Sequence, residues 1–140
     1  FDALWFGHLL KRGEMISIDR DSRAGLLKLI KDVKYTVENT DRAVAIFPEG
    51  TRAKGQKLLP FKAGAKFIAQ KLNMRVQPIV ITGSKELLNE HIRTGHNATI
   101  KYIYLPAFDM KDAPEDWYDI LRDDMQRVID DELSNNNRSR

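Results

Sequence analysis

The chain has 140 residues, 42% of them hydrophobic and 31% charged, with a net charge of +3. These values describe one folded domain with a real core and exclude a disordered chain. With no cysteine and only His8, His91 and His96 as histidines, disulfides, thiolate metal sites and a helical histidine pair are excluded.

The opening segment, Leu4 to Leu10, is apolar and aromatic and is expected to form a short helix ending near Gly13. Met15 to Ile18, "MISI", reads as a short buried strand running into the charged cluster Asp19, Arg20, Asp21. Ser22 is placed to cap a helix reaching about Glu38, because Leu26, Leu27, Ile30, Val33 and Val37 recur at spacings of three and four. Asn39, Thr40 and Asp41 make a turn. Ala43 to Phe47, "AVAIF", is a second buried strand, stopped by Pro48. Glu49 to Pro60 is a loop, rich in Gly50, Gly55 and Pro60. A helix from Ala63 to Leu72 follows, with Ala65, Ile68, Ala69 and Leu72 on one face.

Val76 to Thr82, "VQPIVIT", is a third strand, and Pro78 points to an edge or a bulge in it. A helical turn is expected near Glu86 to Leu88, and a fourth strand over Ala98 to Leu105. In the last helix Pro114 suits the first turn, and Trp117, Leu121, Met125, Val128 and Leu133 trace an apolar stripe. The polar tail 134–140 is expected to fray, leaving one domain over 1–133. Strand, helix, strand, helix, strand is a βαβ order, so the class is α/β with a mostly parallel central sheet flanked by helices.

Strands sharing a direction open their C-terminal ends on one edge, where ligands bind. The loop after "MISI" brings Arg20 there, and the loop after "AVAIF" brings Glu49, Gly50, Thr51 and Arg52. An arginine fork matches a phosphate or a carboxylate in bidentate fashion. Glycine allows positive φ or close ligand approach, and Thr51 offers a hydroxyl. Glu49 can hold the arginines in place or accept from a substrate hydroxyl. The simpler alternative is a turn in which Glu49 and Arg52 only pair with each other.

Basic residues dominate Lys11 to Lys66, and acidic ones dominate Asp109 to Glu132. This asymmetry favours an anionic ligand or an anionic membrane surface in the first half, although any single lysine is ordinarily solvated surface charge. Nucleic acid fits poorly, because aromatic residues do not interleave with the basic ones. No run reaches the roughly 18 apolar residues that cross a bilayer. The phosphate-loop pattern G-x-x-x-x-G-K-[ST] is absent.

"FPEGTR" followed by "FKAGAKFIA" resembles the signature of the glycerolipid acyltransferase family. "MISIDR", after "WFG" and Lys11-Arg12, is similar to that family's preceding motif, and "VQPIVI" is similar to the following one. The three lie in order between Phe1 and about Ser84. The resemblance implies the glycerol-3-phosphate acyltransferase-like fold. It also implies transfer of a fatty acyl group from acyl-CoA or acyl-carrier protein to the free sn-2 hydroxyl of a lysophosphatidic acid, giving phosphatidic acid. Arg20, Glu49, Gly50, Thr51 and Arg52 would contact the glycerol phosphate, with Arg20 and Arg52 on the phosphate itself, Lys62 as an addition and "VQPIVI" at the acyl end. No metal or bound cofactor is implied, and membrane association, on the cytoplasmic face, is.

The resemblance also implies a catalytic H-x-x-x-x-D. No histidine of the chain has an aspartate five positions later, since Gly13 follows His8, His96 follows His91 and Lys101 follows His96. With Phe1 in place of Met, the pair is expected upstream, and the N-terminal part of the fold is expected to be missing. Two other readings stay open: an acyltransferase for glycerol 3-phosphate or another lysophospholipid, and a non-catalytic module that binds anionic lipid.

Overall fold

The computed structural model describes residues 16, 23–51, 53, 55, 57–84 and 99–138. The expected opening helix, the strand "MISI" apart from Ile16, and the turn near Glu86 lie outside them. The chain divides into two compact units, 1–46 and 47–140.

In the first unit, helix α1 runs Arg23–Asn39, close to the bounds that Ser22 and Glu38 predict. Leu29 and Val33 are its buried positions, four residues apart on one face. Lys28 and Asp32 pair at 2.6 Å across one turn of the exposed side. Thr40 ends the helix with its hydroxyl on the Thr36 carbonyl. Ala43 to Phe47, expected as a buried strand, carries no ladder and is exposed at every residue but the half-buried Val44.

The second unit holds helix α2, Ala63–Lys71, whose C-terminus explains how the strands begin. Asn73 takes φ +45°, its N–H bonds to Gln70 at 3.2 Å, and the Met74 N–H reaches the Ala69 carbonyl at 3.0 Å. That double closure, with asparagine in the left-handed position, ends the helix sharply and sends the chain into β1, Arg75–Val76.

Pro78 then interrupts the third predicted strand. It has no N–H for a ladder, so "VQPIVIT" becomes two strands, β1 and β2 (Ile79–Thr82). β2 pairs with β3, Lys101–Tyr104, in the register Ile79 to Tyr104, Val80 to Ile103, Ile81 to Tyr102 and Thr82 to Lys101. β1 pairs with β4, Phe108–Asp109. Both pairings are antiparallel, where the βαβ order predicts parallel ones. β2 and β3 are consecutive among the described strands, and a chain that doubles back pairs antiparallel. The mixed α/β composition stands.

After a short 3₁₀ turn at Met110–Asp112, helix α3 runs Trp117–Arg138, so it continues past Leu133, where the apolar stripe ends. Trp117 and Tyr118 are both buried and form a cluster with Ala69, joined by Phe61, Val76 and Phe108 at its margin. The rings meet edge-on or tilted, at 5.6 Å for Phe108 and Trp117 and 5.3 Å for Phe61 and Tyr118, the geometry that aromatic quadrupoles favour. α3 also lies against β2, and the Lys101 ammonium meets the Glu132 carboxylate at 2.7 Å, adding under about 1 kcal/mol at a partly exposed position.

Candidate functional site

The turn that follows "AVAIF" is built from its own backbone. The Gly50 N–H bonds to the Phe47 carbonyl at 3.1 Å, and Gly50 sits at φ +67°, a conformation open to glycine and costly to other residues. Phe47 at the start of the turn is 75% exposed.

Two bonds tie this turn to the limb that returns into α2. The Lys62 N–H reaches the Pro48 carbonyl at 2.8 Å. One carboxylate oxygen of Glu49 accepts the Leu59 N–H at 2.7 Å, a charge-assisted bond of the stronger kind. Glu49 therefore acts, at least through that oxygen, on the shape of its own loop. A Cβ on Gly50 would stand 3.4 Å from Cγ of Lys62, so the turn rests directly on the lysine stem.

Lys62 is also the N-cap residue of α2. It makes no side-chain cap, and the first turn of the helix holds no acidic residue. Gly64 within that turn faces open space. The result is an uncapped helix start beside the Pro48–Thr51 turn, with the Lys62 side chain exposed and Thr51 exposed. Unpaired N–H groups and the helix dipole both favour negative charge at such a place.

Of the residues read from the sequence, Glu49, Gly50, Thr51 and Lys62 are thus brought together in one loop and helix start. Arg20 and Arg52 lie outside the described residues, as do His8, His91 and His96. Among the described residues, no group of three acidic or histidine side chains could hold a metal ion, and no helix is long and apolar enough to cross a membrane.

The structure adds residues that sequence reasoning passed over. Tyr118 donates its hydroxyl to the Lys62 carbonyl at 2.8 Å. Gln126 accepts the Leu58 N–H at 2.7 Å, and the Arg122 guanidinium reaches the Leu58 carbonyl at 3.4 Å. The signal was present as a second stripe, 118, 122 and 126, beside the apolar one on the same helix. Burial pushes the Tyr118 hydroxyl up to about 12 from its ordinary 10, against the pull of a hydrogen bond from the Lys66 backbone amide. At neutral pH it is a donor.

A separate apolar cleft of about 210 Å³ opens between Pro78, Leu105, Phe108, Pro114, Trp117 and Ile120.

Comparison with known proteins agrees with this loop's composition. A family model described as Acyltransferase matches residues 1–82, which include the whole turn and α2. The chain belongs to this acyltransferase family. It is 36% identical over 124 residues to the 1-acyl-sn-glycerol-3-phosphate acyltransferase of Helicobacter pylori, covering 88% of this chain and 52% of that relative. It is 29% identical over 116 residues to the enzyme of the same name from Escherichia coli, covering 81% of this chain and 46% of the relative. The coconut, Cocos nucifera, enzyme is 38% identical over 86 residues, 59% of this chain and 28% of its own length. The chain thus spans about half the length, or less, of these relatives. No solved structure matches it significantly.

Proposed function

We propose that this chain is the acceptor-gripping part of a 1-acyl-sn-glycerol-3-phosphate acyltransferase. The reaction moves a fatty acyl group from acyl-CoA or acyl-carrier protein to the sn-2 hydroxyl of lysophosphatidic acid and yields phosphatidic acid. The observation that carries this reading is the Pro48–Thr51 turn, folded with positive φ at Gly50 against the uncapped start of α2 and the Lys62 stem. An anion of phosphate size meets there backbone N–H groups, the Thr51 hydroxyl and the Lys62 ammonium. Arg20 and Arg52 supply the bidentate contacts to the phosphate, and Glu49 holds the turn in shape.

In the chemical step the acceptor hydroxyl oxygen attacks the thioester carbonyl, the C–S bond breaks, the thiol leaves and a general base takes the hydroxyl proton. A histidine oriented by an aspartate serves that purpose, and His8, His91 and His96 lack the spacing. Residues 1–140 alone therefore bind the acceptor and turn it over about 10²- to 10⁴-fold more slowly than a complete relative. The strand "VQPIVI" belongs to the acyl end, where the apolar cleft beside Pro78 suits hydrocarbon. Access to lipid substrates places the protein on a membrane surface, at the cytoplasmic face.

Titration of lysophosphatidic acid and glycerol 3-phosphate against charge-reversed variants tests the grip. Arg20→Glu and Arg52→Glu should each weaken binding by about tenfold or more. Lys31→Glu and Lys34→Glu, on the exposed side of α1, should reduce only adhesion to anionic vesicles. Equal losses at both pairs would overturn a specific pocket in favour of diffuse anion attraction. Turnover compared across acceptors then identifies what hangs from the phosphate.

A further inference from the structure

We infer that the face of α3 formed by Tyr118, Arg122 and Gln126 positions the acceptor-binding loop, so that the last helix governs acceptor affinity without touching the acceptor. The inference rests on the proposed function of that loop, and it follows from the spacing of three side chains. Residues 118, 122 and 126 are four apart and therefore share one helix face. Each spends a polar group on the backbone of the limb that closes the loop. Gln126 takes the Leu58 N–H at 2.7 Å, Arg122 gives to the Leu58 carbonyl at 3.4 Å, and Tyr118 gives to the Lys62 carbonyl at 2.8 Å. The limb is held at both ends, and Phe61 within it packs its ring on Tyr118 at 5.3 Å.

The same limb holds the turn. Leu59 N–H is fixed on Glu49 at 2.7 Å and Lys62 N–H on Pro48 at 2.8 Å. Position therefore passes in two steps, from α3 to residues 58–62 and from these to Pro48, Glu49 and Gly50. Leu58 has its N–H and its carbonyl both engaged by α3, so this limb of the loop has little freedom of its own. Tyr118 stays protonated at every physiological pH and keeps its end of the clamp as a donor. Arg122, at 3.4 Å, is the weakest of the three.

The test uses Gln126→Leu, which removes the acceptor and keeps the bulk, and Tyr118→Phe, which removes only the hydroxyl. Both are read in the acyltransferase that carries this chain. The expected result is an acceptor KM raised about three- to tenfold, with the donor KM, kcat and melting temperature near the parent values, and faster hydrogen exchange at the Leu58 amide in Gln126→Leu. An acceptor KM unchanged in both variants, while that amide exchanges faster, overturns the inference, because the loop then grips without the clamp. A fall in kcat and melting temperature together, with no acceptor-specific change, also overturns it and leaves a merely structural helix. Arg52→Ala separates the two levels: an unchanged acceptor KM there refutes the phosphate-gripping loop itself, whatever the helix variants do.

Discussion

Gly50 shows what one residue decides in this loop. Its φ of +67° and its seat on the Lys62 stem leave no comfortable place for a side chain. Gly50→Ala should lower stability by about 1–2 kcal/mol and weaken acceptor binding together with it, as urea unfolding and ligand titration would read. Gly83 is more constrained still, at φ +84° with the Thr99 carbonyl oxygen standing where a Cβ would lie. That Glu49, Gly50 and Thr51 share one turn was legible in "FPEGTR", because a Pro-x-Gly step after an apolar run is turn chemistry. The bond from Leu59 to Glu49 was not legible. It joins residues ten apart through a loop whose path no periodicity describes.

At the scale of elements, α1 and α2 lie close to where capping and spacing put them, because helix contacts are local. The strands do not. "VQPIVIT" reads as one strand, yet Pro78 divides it between two partners, and a partner is never a property of the strand alone. The β2–β3 pair has two unlike faces. Val80 is 2% exposed on the inner one, while Ile79, Ile81, Tyr102 and Tyr104 share the outer one at 37–67%. Val80→Ala should therefore cost about 2 kcal/mol through lost burial and a residual cavity. Tyr102→Thr on the outer face should stay within about 0.5 kcal/mol. Chemical denaturation of the two variants checks the contrast, and equal costs would show that the outer face is covered. In α3 the apolar stripe was read and the polar one beside it was missed, since polar residues on a helix usually face water and only the fold shows when they face a loop.

Over the whole molecule, the protonation of Tyr118 couples pH to folding. The unfolded chain gives up this proton near pH 10, whereas the folded protein keeps it to about 12. The folded state binds more protons in that window, so the contribution is complete below pH 10 and is lost as pH rises toward 12. Tyr118→Phe should flatten the fall in stability between pH 10 and 12, measured by urea unfolding at each pH, and an unchanged slope would show that the hydroxyl is open to water. By itself the sequence determined the α/β composition, the places of α1 and α2 and the basic and acidic halves, all of which depend on short spacings and side-chain chemistry. Only the tertiary structure decided the antiparallel pairing, the split at Pro78 and the hold of α3 on residues 58–62. Those contacts join residues 56 to 68 positions apart in the case of the helix clamp, and contacts at that separation are selected by packing of the folded chain, not by any local pattern along it.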